Sequence, residues 1–129
     1  MKFTVPGQPV PQGSMSAVSR GSGVSMFHSN QAKLQAYRDA VAWSAKARLG
    51  EPIEGGVQIR VDFYVKRPQR PKQVDPITKP DLDKLVRAVL DALTGVCFAD
   101  DSQVVMLTAF KLYAEAEPYT EVSVEACHD

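Results

Sequence analysis

Five aspartates crowd into residues 79–101, KPDLDKLVRAVLDALTGVCFADD: Asp81, Asp83, Asp91, Asp100 and Asp101. Carboxylates are hard oxygen donors of the kind that hold Mg²⁺ or Mn²⁺, and no histidine and cysteine set at zinc spacing accompanies them. A divalent ion between carboxylates and a phosphate activates water and stabilises the leaving oxygen of an in-line displacement. The chemistry these residues could do is phosphodiester hydrolysis. It requires the pair before one helix, Asp81 and Asp83, and the pair after it, Asp100 and Asp101, to converge, with the later loop folded back along the helix.

Plainer roles compete for the same residues. Asp in the first turn of a helix caps free N–H groups and complements the dipole, which stabilises by about 0.5–2 kcal/mol. Asp83, Arg87 and Asp91 recur every four residues, so they share the polar side of the helix and could form a solvated ladder. Were Asp81 and Asp83 both helical they would point about 200° apart, but Pro80 sets Asp81 just outside the helix, where that separation is not imposed. Asp100 and Asp101 precede no predicted helix, which leaves them without capping duty, and adjacent like charges are costly unless something positive meets them.

Lys66, Arg67, Arg70, Lys72 and Lys79 stand against a lone Asp75 in the Pro-rich segment 66–80, which runs directly into the acids. A basic run is often only a solvated surface; beside a metal site it delivers phosphate-seeking charge. With Lys84 these residues are the candidate DNA contacts. The formal net charge over 129 residues is zero, so any nucleic-acid surface has to be local, because phosphate binding depends on Lys and Arg.

The elements that must position these groups follow from periodicity. Lys2 to Val5 alternate and stop at Pro6-Gly7, a short strand; Gly7 to Ser29 reads as one long loop. Asn30 is the expected N-cap of a helix running to about Leu49, with Gly50 as its left-handed stop. On it Leu34, Tyr37, Val41 and Ala45 make one stripe, and Ala36, Ala40, Trp43 and Ala47 an adjoining one, which together predict a wide buried face with Trp43 in the core. Val57, Ile59, Val61, Phe63 and Val65 alternate with polar neighbours in a strand. Leu82, Leu85, Val86, Val89, Leu90 and Leu93 form the apolar face of a helix over Leu82–Leu93, closed by Thr94-Gly95. QVVMLTAFKLYAE and YTEVSVEA read as a strand pair joined around Glu115 to Pro118. The expectation is one α+β domain over residues 1–129, in β-α-β-α-β-β order, with a mixed sheet packed against both helices. Cys97 and Cys127 fit buried thiols in a reducing cytosol, and no stretch reaches membrane-spanning length.

The stretch KPDLDKLVRAVLDALTG…FADDSQV resembles the signature of the RusA family of Holliday junction resolvases: a D-L-D opening, a helix with D-A-L near its end, then a D-D-x-Q-V loop. The match is specific across residues 79–104. The resemblance implies a cytoplasmic, homodimeric, Mg²⁺-dependent crossover-junction endodeoxyribonuclease of a bacterium or its phage, making paired nicks in four-way DNA. It places the metal-binding aspartates on Asp81, Asp83 and Asp101, with Asp100 a neighbouring acid of lesser rank. A lysine important for catalysis in the family corresponds to Arg87, which keeps the charge but presents a planar fork. The N-terminal loop has Arg20 as its charge, fewer than many relatives carry.

A different class of function is a non-catalytic module that binds branched DNA or a protein partner, with acids that only cap and solubilise. A phosphatase using D-x-D is a third reading, but such a motif belongs at the end of an apolar strand. His28 has no partner at ligand spacing, and His128 lies next to the C-terminus, where chains fray; Tyr113 and Tyr119 stack on bases or pair across strands.

Overall fold

The computed structural model describes residues 1–13 and 23–128, with the backbone alone for 23–29. Its elements are β1 (Lys2–Pro6), α1 (Gly23–Arg48), β2 (Val57–Val65), α2 (Leu82–Leu93), β3 (Val104–Tyr113) and β4 (Tyr119–Ala126), the expected β-α-β-α-β-β order. The fold is α+β, with a four-stranded mixed sheet in the order β1-β4-β2-β3.

Residues 23–29, expected in the loop, are helical, so α1 starts seven residues before Asn30. Gly and Ser gave the segment a loop-like composition, but only proline forbids a helix; the other penalties are within about 1 kcal/mol per residue, and tertiary context overrides them. Residues 14–22 of the expected loop, Arg20 among them, and the side chain of His28 lie outside the described residues. Gly50 does not take the left-handed conformation; Gly7, Gly55 and Gly95 do.

The strands after α2 do not form the expected hairpin. β3 pairs parallel with β2, and β4 pairs antiparallel with both β2 and β1, so β2 separates the two consecutive strands. Tyr119 accordingly stacks on Tyr64 of β2, ring centroids 4.3 Å apart, and not on Tyr113. A β2–β3 parallel pair needs a crossover, and the basic loop with α2 supplies it.

Both helices cover one face of the sheet. Val57, Ile59, Val61 and Phe63 of β2, Val122 and Val124 of β4, and Phe3 and Val5 of β1 meet Leu34, Tyr37, Val41 and Ala45 of α1 and Leu85, Val89 and Leu93 of α2 in one core. Only the first stripe of α1 is buried. Trp43 is 72% exposed, because it lies about 200° around the helix from both Val41 and Ala45. On the uncovered face Arg60 lies over the Phe110 ring at 5.0 Å and reaches the buried Asp62 at 3.4 Å.

Candidate active site

α2 carries the site because its two faces do different work. The leucine and valine stripe is sealed into the core, which fixes the rotation of the helix and turns Asp83, Arg87 and Asp91 outward. Its end is set by Gly95 at φ +87°, with the Thr94 N–H donating to the Leu90 carbonyl at 3.0 Å and the Cys97 N–H to Leu93 at 2.9 Å. The chain then turns back through Phe98, fully buried, toward Asp100.

Asp81 is the N-cap by backbone position, at φ −73° and ψ 136°, yet its side chain caps nothing. Its carboxylate instead accepts from Lys79 Nζ at 3.1 Å and lies 3.7 Å from Lys84 Nζ. The hydrogen bond from Lys79, reinforced by the charges of Lys79, Lys84 and Lys111, holds its pKa below the ordinary aspartate value. The capping role offered for Asp81 is therefore excluded, and two of the expected DNA contacts, Lys79 and Lys84, are its ion-pair partners. Lys66, Arg67, Arg70 and Lys72 are exposed on the loop before it.

The expectation that Asp100 has no capping duty is corrected. Residues Asp101–Gln103 form one turn of 3-10 helix, and Asp100 caps it, accepting from the Ser102 N–H at 2.9 Å. That bond lowers the Asp100 pKa. With Asp100 spent on the turn, Asp101 is left as its exposed acid.

Asp83, Arg87, Asp91 and Asp101 line one open cleft of about 490 Å³ together with Gln12, Val86 and Leu90. The return loop thus folds back along α2, as convergence requires. None of the ion pairs among the described residues involves these four charged groups, so Asp83, Arg87 and Asp91 are not consumed as a surface ladder. Asp81 lines an adjoining cleft of about 390 Å³ with Lys79, Lys84 and the segment from Gln8 to Gly13.

Gln12 is shared by both clefts, held by its N–H to the Lys84 carbonyl at 3.0 Å, and its amide oxygen is buried without a hydrogen-bond partner among the described residues. Gln12 was not legible beforehand: PVPQG has no periodicity, and only the fold brings it to α2. Lys111 of β3, which holds the backbone just before Asp81, is likewise a long-range contact with no local signal.

As donors, Asp81, Asp83 and Asp101 suit a hard divalent cation, and Asp83 with Asp101 fit one by facing the same cleft. The expected single meeting point of all three is not formed within one chain: among the described residues no group of three His, Cys, Asp or Glu side chains could hold a metal ion. The reason is physical. Asp81 is drawn to Lys79 and Lys84 and lines a different cleft from Asp83 and Asp101. D-L-D opens a helix and does not end a strand, so the phosphatase reading gains no support.

What the fold and site define is an α+β domain whose second helix carries an acidic cleft beside a basic, Pro-rich loop. Over residues 6–125, nearly the whole chain, it matches the family described as Endodeoxyribonuclease RusA, and the chain belongs to that family. It is also similar to a Bacillus subtilis (strain 168) protein described as uncharacterized protein YqaN, 37% identical over an alignment of 139 positions that spans 96% of this chain and 94% of the relative. Among the described residues no helix is long and apolar enough to cross a membrane.

Proposed function

We propose that the protein is a structure-selective endodeoxyribonuclease that resolves four-way DNA junctions by Mg²⁺-dependent hydrolysis, with Mn²⁺ as a substitute. The observation that carries the reading is the gathering of Asp83, Arg87, Asp91 and Asp101 on one cleft in a member of an endodeoxyribonuclease family. Asp83 and Asp101 would hold the cation from their shared cleft, and Asp81, in the adjoining cleft, would leave its lysines and swing toward it to complete the set. When bound, it supplies Lewis acidity to a phosphate oxygen and to the attacking water.

The chain's own residues do the rest. Arg87 offers a planar pair of donors to non-bridging phosphate oxygens, fixing the backbone against the cleft wall and offsetting charge that develops there. Lys66, Arg67, Arg70 and Lys72 carry the DNA arm up to the site by phosphate contacts that are independent of sequence. Lys79 and Lys84 do the same at the rim of the Asp81 cleft. Asp91 and Asp100 stay outside the ligand set, the first further along the cleft and the second as a cap. Because a four-way junction has two symmetry-related strands to cut, a two-fold homodimer presents one cleft to each and yields paired nicks. DNA as substrate puts this work in the cytoplasm of a bacterial cell, whether the gene is the cell's or a phage's.

A synthetic four-way junction, incubated with and without Mg²⁺, tests the reading. Wild type is expected to cut only with the metal, and Asp83→Asn to lower cleavage by at least about 100-fold, the scale of losing one charge-stabilising group. Equal cutting by the two proteins, or binding without any cutting, rejects it in favour of a module that only binds branched DNA.

A further inference from the structure

We propose that Lys111, on the edge strand β3, is the positioning residue that sets Asp81 for reaction; this rests on the nuclease reading above. Its Nζ donates to the carbonyl oxygens of Thr78 at 2.8 Å and Pro80 at 2.7 Å, the two carbonyls that flank Lys79 immediately before Asp81. Lys111 is half-buried, sits opposite Phe63 of β2 in the sheet register, and has no carboxylate partner among the described ion pairs.

The need for such a residue follows from the loop. Residues 66–80 have no regular structure and are mostly exposed; apart from the Lys66 N–H bond to Gln8 Oε1, the described hydrogen bonds that tie the loop to the sheet are those from Lys111. A reacting carboxylate must be held within about 0.5 Å of its working place, and a loose peptide one residue upstream cannot hold it. An ammonium is a compact charge with three donors, so it can serve two carbonyls that converge on one point. The backbone is thereby held toward the sheet, which fixes the N-cap position from which the Asp81 side chain leaves.

The test compares Lys111→Met and Lys111→Arg with wild type in the full-length protein. Amide hydrogen exchange over Ile77–Leu85, where the Ile77 and Leu85 N–H groups are bonded to the Asp75 and Asp81 carbonyls, the melting midpoint, and kcat and KM on a four-way junction with Mg²⁺ are measured. Lys111→Met is expected to speed exchange in that segment and lower kcat by about tenfold or more, as removal of outer-shell supports does, with KM little changed. Lys111→Arg, which keeps charge and donors, should recover most of kcat. Unchanged exchange and kcat in Lys111→Met, or a loss in kcat that Arg does not restore, overturns the proposal. A wild type inert on junctions sinks the nuclease reading instead, and the exchange data still decide whether Lys111 holds the segment.

Discussion

Asp100 and Gln103 cap each other across a single turn. The Asp100 carboxylate accepts from the turn's N–H groups, while Gln103 Oε1 accepts from Ala99 N at 2.9 Å and Asp100 N at 3.1 Å. The other end of the same amide donates to the carbonyls of Ile53 and Gly55, both at 3.0 Å. One glutamine therefore pins the acidic turn to the loop before β2. Gln103→Ala is expected to lower the unfolding free energy by about 2 kcal/mol, since four backbone groups lose their partner and only part of that is recovered by water. Asp101→Asn should leave stability within about 0.5 kcal/mol, as exposed substitutions do, while abolishing cleavage. Urea unfolding beside the junction assay separates the two roles.

The Asp81 carboxylate should titrate below an ordinary aspartate, with Lys79 the main cause. Its folded pKa is depressed, so the contribution of the pair is present above the unfolded value and disappears as pH falls through the folded one. Carboxyl ¹³C titration by NMR should show the midpoint rising toward the ordinary value in Lys79→Met. A midpoint unmoved by that change would mean Lys79 is not its partner.

Burial pushes the Cys97 thiol up to about 11, and burial likewise raises the Tyr37 phenol, whose hydroxyl bonds Thr120 inside the core. Both groups are neutral when folded. Their raised pKa values mean stability that is complete below the unfolded values and is lost as pH rises through the folded ones. Unfolding free energy should fall between pH 9 and 11, less steeply in Cys97→Ala, and Cys97 should resist alkylation at pH 8 until the protein is unfolded.

Trp43, 72% exposed, should emit as a hydrated indole and be quenched freely by iodide. Trp43→Ala is expected to change stability by no more than about 0.5 kcal/mol, whereas Leu85→Ala, fully buried on α2, should cost about 2–5 kcal/mol.

Where burial follows a local period, the chain could be read directly. The alternation of Val57 to Val65 and the leucine stripe of α2 gave those elements their observed bounds, and the spacing of Asp83, Arg87 and Asp91 put them on one face. Trp43 was misread because the two adjoining stripes on α1 read as one wide buried face, and only the sheet beneath decides how much of that face is covered. Pairing of β3 with β2, and not with β4, is a long-range choice made by the crossover. The same holds for the cleft: Gln12 and Lys111 reach α2 from opposite ends of the chain, and the separation of Asp81 from Asp83 depends on which lysines meet it.

Among the described residues β1 has β4 as its sole neighbour in the sheet, and β4 in turn bridges it to β2. During synthesis on the ribosome the opening strand therefore waits, without a partner, until residues beyond 118 have emerged. Gln12, which follows that strand on the same stretch of chain, has its own bond to the Lys84 carbonyl, but the turn that leads to it rests on the late chain through the Gly7 N–H bond to the Pro118 carbonyl at 3.0 Å. A polypeptide cut short before Tyr119 should leave β1 unpaired, and with it the start of the segment that carries Gln12 to the cleft.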